Sequence, residues 1–178
     1  MLNTPGQKYR TTNLLMHIKK GFTLVEVLIV VVIIIILAGV GVPLSADYVS
    51  SRQLYNEATQ LQQDLLRVQN LAITHSTESK FPITFSSSSS YVYAVDEAGT
   101  KTTTRTLPSS VNIYDVKVGG AGVTLPVSFN FDNQGILHKV GATDTCTLEV
   151  YIQFTGGSKQ IKVIVSPIGR VTIDWVKK

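Results

Sequence analysis

"KKGFTLVEVLIVVVIIIILAGV", Lys19 to Val40, is the stretch whose reading sets the architecture of this chain. From Val27 to Leu44 (27 to 44 inclusive) there are 18 consecutive uncharged residues. At 1.5 Å per residue they make about 27 Å of helix, close to the hydrocarbon thickness of about 30 Å. The pattern predicts a membrane-spanning helix over 22–44. Glu26 lies near its first turn, and a carboxylate in the middle of a bilayer helix costs roughly 2.5 to 3.5 kcal/mol on insertion scales. Two local readings account for it: a side chain at the membrane edge reaching the head groups, or a carboxylate complementing the positive end of the helix dipole.

Charge sets the orientation. Of the 178 residues, Lys8, Arg10, Lys19 and Lys20 all precede Gly21 with no acidic residue among them, and they account for the whole net charge of +4. Residues 22–178 are therefore formally neutral, so the basic balance is no argument for a nucleic-acid partner. Positive flanks stay in the cytoplasm, which places everything from Ser45 onward outside the cytoplasmic membrane. A chain of this length holds one span and one small soluble domain. Cys146 is the only cysteine, so no internal disulfide forms, and a small apolar core residue is its expected role, with a reactive or intermolecular thiol the other reading.

The targeting signal has unusual anatomy. A secretory signal closes its apolar stretch with a small-residue cleavage site, whereas here the small residue, Gly21, comes before the apolar run. Cleavage there would leave the hydrophobic helix on the mature protein. Gly21-Phe22-Thr23-Leu24-Val25-Glu26 resembles the signature of type IV pilins and type II secretion pseudopilins. The resemblance implies that a prepilin peptidase cuts between Gly21 and Phe22 and methylates the new amino group of Phe22. It also implies a third role for Glu26, now the fifth mature residue: pairing with the positive N-terminus of a neighbouring subunit during assembly. A charge and its counter-charge buried together are tolerable, and costly apart. The leader is long for that family, and Met16 offers a second start.

Beyond the span, Leu54, Ala58, Leu61, Leu65, Val68 and Ala72 are spaced four, three, four, three and four residues apart, one apolar face of a helix. Pro43 either interrupts this helix locally or marks the membrane exit. After Thr74 the period changes to two, and "KFPITF", "SYVYAV", "KTTTRTL", "VSFNF", "CTLEVYIQF", "KQIKVIVS" and "RVTIDW" read as strands. Within them Cys146, Leu148, Val150, Ile152 and Phe154 share a face that Ile161, Val163 and Val165 are expected to oppose across the Gly156-Gly157 turn, and Ser86 to Ser90 reads as a flexible linker or, as its place between two strands favours, a polar hairpin loop. The fold class is α+β: a long N-terminal helix, its first half membrane-spanning, packed on an antiparallel β-sheet head. The divisions are 1–21 leader, 22–44 span, 45–76 amphipathic half-helix and 77–178 head.

"FNFDNQG" (Phe129 to Gly135) and "SPIGRVTI" (Ser166 to Ile173) resemble the FimT-like and H-type minor pilins, in which a glycine and arginine, here Gly169 and Arg170, precede the last strand. The likeness thins from about Ser86 to Thr124. Some FimT-like pilins bind DNA through such an arginine with a second one two residues on, but this chain reads Gly169-Arg170-Val171-Thr172, so the DNA-contact candidate is Arg170, joined at most by Lys177 and Lys178, and closure of its own turn is the favoured role. Arg105, Lys159, Lys162, Arg170, Lys177 and Lys178 offer either a basic patch or, as the favoured reading, scattered solvated charges. His17, His75 and His138 show no nucleophile or metal-ligand spacing, and Asp132-Asn133-Gln134-Gly135 lacks the spacing of a calcium loop and reads as a β-turn. The chain is therefore expected to be a filament subunit without catalysis, cofactor or metal, a minor pilin or pseudopilin of a type IV pilus or type II secretion system. Its expected partners are other pilin subunits, the prepilin peptidase and the membrane. A membrane-anchored, DNA-binding minor pilin for DNA uptake is the alternative.

Overall fold

The computed structural model describes residues 21–75, 81–96, 100–142 and 144–176, with the side chains of residues 40–47 outside the description. One helix, α1 (Leu24–His75), is followed by ten strands: β1 (Ile83–Ser87), β2 (Ser90–Ala94), β3 (Thr102–Thr106), β4 (Val111–Val118), β5 (Ala121–Gly122), β6 (Val127–Phe131), β7 (Leu137–Lys139), β8 (Leu148–Phe154), β9 (Gln160–Val165) and β10 (Val171–Trp175). The chain divides into two compact units, the first running to Pro43 and the second Leu44–Lys178.

In the first unit the side chains of α1 from Leu24 to Leu37 are apolar apart from Glu26, and all are exposed. Among the described residues no helix is long and apolar enough to cross a membrane. The last part of the span expected from sequence, Val40 to Leu44, falls on side chains outside the described ones. α1 as assigned runs through Pro43. A proline inside a helix removes one i→i−4 hydrogen bond and sets its ring against the carbonyl of residue i−4, so this is the weak point of α1.

The second unit carries two five-stranded sheets, ordered β3-β2-β1-β6-β7 and β10-β9-β8-β4-β5, with every pairing antiparallel. The helical face expected from spacing is the one buried: Leu54, Ala58, Leu61, Leu65, Val68 and Ala72 are essentially inaccessible and join the inward residues of both sheets in one core. Each such leucine contributes about 1.5–3 kcal/mol by leaving water. The β8–β9 register is the expected one, Leu148 opposite Val165, Val150 opposite Val163 and Ile152 opposite Ile161. Cys146 is half-buried against this core, where burial pushes its thiol pKa up.

β4 is the longest strand and the sequence reading did not find it. Val111 and Ile113 alternate inward, but the register shifts between Ile113 and Asp115, and the next inward residue is Val116. That bulge inserts one residue and breaks the period of two. The short β5 and β7 were missed as well; their two and three residues give alternation too little length to register.

One carboxylate lies inside the core. Asp64 on α1 is 4% exposed, accepts a hydrogen bond from the Tyr91 hydroxyl at 2.7 Å and is approached by the Gln60 amide at 3.4 Å. Burial, with the Asp64 carboxylate behind it, pushes the Tyr91 phenol far above its ordinary pKa. Removing that hydroxyl strands a buried acceptor, a loss of about 1–3 kcal/mol. Tyr91→Phe should therefore lower the urea midpoint of the detergent-solubilised chain, whereas substitution of exposed Tyr114 by Phe should leave it unchanged.

Candidate functional site: the helix start and the Gln69 junction

Two places carry the candidate residues. At the first, Gly21 to Thr23 precede α1, and Phe22 is 82% exposed. Thr23 caps the helix: its Oγ1 accepts the Glu26 backbone N–H at 3.2 Å. The order Thr23-Leu24-Val25-Glu26 is that of a capping box, and it puts the carboxylate in the first helical turn, where the dipole favours it. Glu26 is exposed, and among the described residues no cation pairs with its carboxylate. It borders a shallow recess of about 280 Å³ walled by Phe22, Val27, Val30 and Val31. The helix start thus presents one unpaired negative charge on a surface that is otherwise apolar.

At the second, in the Leu44–Lys178 unit, two turns meet a single helical side chain. Gln69 Nε2 donates to the carbonyls of Gly135, at 2.9 Å, and Gly169, at 3.0 Å. Gly135 ends the turn between β6 and β7, Gly169 the turn between β9 and β10, so one amide ties together turns from different sheets. The Leu137 N–H adds a bond to the Pro167 carbonyl at 3.3 Å. The two stretches "FNFDNQG" and "SPIGRVTI", far apart in sequence, are therefore adjacent. Gln69 itself was read from sequence only as part of the polar side of the helix, because no local pattern announces that two distant turns will share its amide.

The glycines are needed there. Gly135 and Gly169 both have φ of +78°, the left-handed region that L side chains disfavour. A Cβ on Gly169 would collide with the Gly135 carbonyl oxygen and the Gln69 amide. Asp132 builds the first turn: its Oδ1 accepts the N–H groups of Gln134, at 2.9 Å, and Ile136, at 2.8 Å, while Oδ2 faces His138 Nε2 at 3.2 Å. These oxygens serve the turn, in line with the β-turn reading of Asp132 to Gly135, and among the described residues no cluster suited to a metal is found.

Arg170 closes its turn with backbone alone. Ser166 N–H donates to the Arg170 carbonyl at 2.9 Å, and Arg170 N–H to Ser166 Oγ at 3.1 Å. Its guanidinium is exposed and, among the described residues, unpaired. Of the other basic residues named from sequence, Arg105 pairs with Glu57 at 3.6 Å, Lys162 with Glu149 at 3.5 Å, and Lys159 donates to Ser51 Oγ at 3.1 Å. Lys177 and Lys178 lie outside the described residues, as does the leader before Gly21.

Residues 16–42 match the prokaryotic N-terminal methylation motif. The match takes in Gly21, Phe22 and Glu26 and is consistent with the type IV pilin and pseudopilin family. No curated protein and no solved structure matches the chain. The methylation motif supports a type IV pilin-like subunit and implies processing by a prepilin peptidase and association with pilin subunits.

Two outcomes follow for the junction. Gly169→Ala combines overpacking with a left-handed backbone and should cost about 2–5 kcal/mol, read as an early thermal transition, while Gly141→Ala, with open space around it but a φ of +86°, should cost only the backbone share, about 1–2 kcal/mol. Partial burial pushes the Asp132 carboxyl up, but the Ile136 N–H, the His138 ring and the Gln134 N–H outweigh it and hold its pKa below the usual carboxylate value. A depressed folded pKa gives stability that is present above the unfolded value, near 4, and lost as pH falls through the folded one. The stability difference between wild type and Asp132→Asn should accordingly be full at pH 7 and shrink below about pH 4 in urea titrations.

Proposed function

We propose that this chain is a minor pilin or pseudopilin: a non-catalytic subunit cut between Gly21 and Phe22, methylated on Phe22, held in the cytoplasmic membrane by a single pass over residues 22–44 with its head outside, and then drawn into a filament. The observation that carries this reading is the helix start, an unpaired Glu26 carboxylate on a helix otherwise apolar and exposed from Leu24 to Leu37. Such a surface requires lipid or other helices around it. A simple anchor has no use for the carboxylate, which costs energy in lipid. A filament core uses it, because the N-terminal amine freed by cleavage supplies the counter-charge that makes its burial tolerable.

The two stretches that meet at Gln69 support placing the chain with the FimT-like or H-type minor pilins, since the residues carrying that likeness form one structural unit. The DNA-uptake alternative draws less support: at the Gly169 turn Arg170 supplies one cation, worth a salt slope of only about −0.9 on duplex DNA.

Glu26→Leu tests the assembly role. The variant should insert into the membrane at least as well as wild type and still be cleaved, yet it should appear in sheared filament fractions at about a tenth of the wild-type level or less, the factor expected when a buried partner of the amine is removed. Normal incorporation would show that Glu26 is not the assembly contact. Gly21→Leu should accumulate as uncut, membrane-held precursor.

A further inference from the structure

Two hydrogen bonds set the direction of the head along α1. Lys159, at the tip of the β8–β9 hairpin, donates to Ser51 Oγ at 3.1 Å, whereas the turn at the far end of β9 is held through Gly169 by Gln69. Ser51 and Gln69 stand about 27 Å apart along the helix at 1.5 Å per residue. The hairpin tip therefore lies at the end of the head nearer Leu44. The same end carries Tyr48 and Tyr55, 61% and 46% exposed and two turns apart on one face of α1, with exposed Arg52 between them. Arg52 Nε donates to the Tyr48 hydroxyl at 2.9 Å, and its guanidinium lies 5.5 Å from the centre of that ring. Between helix and hairpin opens a recess of about 320 Å³, lined by Leu54 and Phe154 and by Ser50, Gly157, Ser158 and Lys159.

We infer that this end of the head is a phospholipid-binding surface: Tyr48, Arg52 and Lys159 enter the head-group layer of the outer leaflet, and the recess beside Lys159 takes the head group of an anionic phospholipid. The inference rests on the single-pass reading above, with residues 22–44 in the bilayer. On that reading Tyr48 stands about 6 Å and Ser51 about 10 Å beyond Leu44, against a polar layer about 5–7 Å deep on each side of the hydrocarbon. Tyrosine suits that layer, its ring toward the acyl chains and its hydroxyl in water, and the long stems of arginine and lysine reach back to phosphate. The lining matches the ligand, with hydroxyls and an ammonium for phosphate oxygens and the apolar Leu54 and Phe154 for the glycerol and first methylenes. Arg52 has no carboxylate partner among the described residues, and Asp47, the one acid between Ser45 and Tyr55, has its side chain outside them. Continuity with the span selects lipid as the occupant, because a surface this close to Leu44 meets the phosphates of the leaflet first.

The test uses the full chain reconstituted in vesicles of phosphatidylcholine, alone or mixed with phosphatidylglycerol. A benzoylphenylalanine placed at position 158 should, on irradiation, form a covalent phospholipid adduct seen by intact mass, in higher yield from the mixed vesicles. The same probe at position 168, at the far end of β9, should form none. Arg52→Gln and Lys159→Gln should each lower the adduct at position 158 about fivefold in mixed vesicles, the effect of one cation at an anionic surface. Lys159→Arg should retain it, and inorganic phosphate substituted for chloride at equal ionic strength should leave it unchanged. Equal labelling at positions 158 and 168, no adduct at 158, or loss of the adduct to inorganic phosphate would overturn the lipid surface, while a wild-type chain that resists carbonate extraction keeps the single-pass reading. A wild-type chain released by carbonate would overturn both.

Discussion

Burial of one face of α1, from Leu54 to Ala72, is the interaction on which the head depends. Those six side chains meet inward residues from both sheets in one core, so the apolar faces of both sheets are covered in part by this helix. The polar residues beside that face serve the same end. Asp64 takes the Tyr91 hydroxyl, Arg67 donates to the Val95 carbonyl, Gln62 donates to the Val171 carbonyl, and Gln69 donates to two turns at once. The helix supplies both the apolar surface and the hydrogen bonds that fix where the sheets sit on it.

The first part of α1 follows a different economy. It has apolar residues on every side rather than one face, and from Leu24 to Leu37 they are exposed. A helix that is apolar all round is stable only when something else covers it. Within that surface Glu26 is the single charged side chain, and the helix N-terminus accommodates it by backbone capping from Thr23 without supplying a cation. The capping and assembly readings are compatible: the dipole and the cap keep the carboxylate acceptable in the isolated chain, and its missing counter-charge is what a neighbouring subunit would bring.

Much of this was legible in the sequence, and the misses have physical causes. The buried helical face could be read because a period of 3.6 persists over five turns, and the β8–β9 hairpin because strict alternation flanks a glycine pair. β4 escaped because a bulge between Ile113 and Asp115 shifts its inward residues by one. The helical assignment runs through Pro43, where sequence offered a local interruption or a membrane exit. At the candidate site, the order of residues alone made Gly21, Phe22 and Glu26 candidates, and all three fall within the residues that match the methylation motif. Gln69 could not, because its role arises only when two turns from different sheets are brought to the same point. Arg170 was visible as a residue, but its division of labour, with backbone closing the turn and side chain left free, required the structure.

The central claim, that the N-terminal stretch is a processed assembly helix and not a plain anchor, is tested most directly by the intact mass of the chain recovered from membranes of a host that has a prepilin peptidase. The account predicts a chain beginning at Phe22 and carrying one added methyl group on its amino terminus. A chain still bearing Gly21 and the residues before it would contradict it.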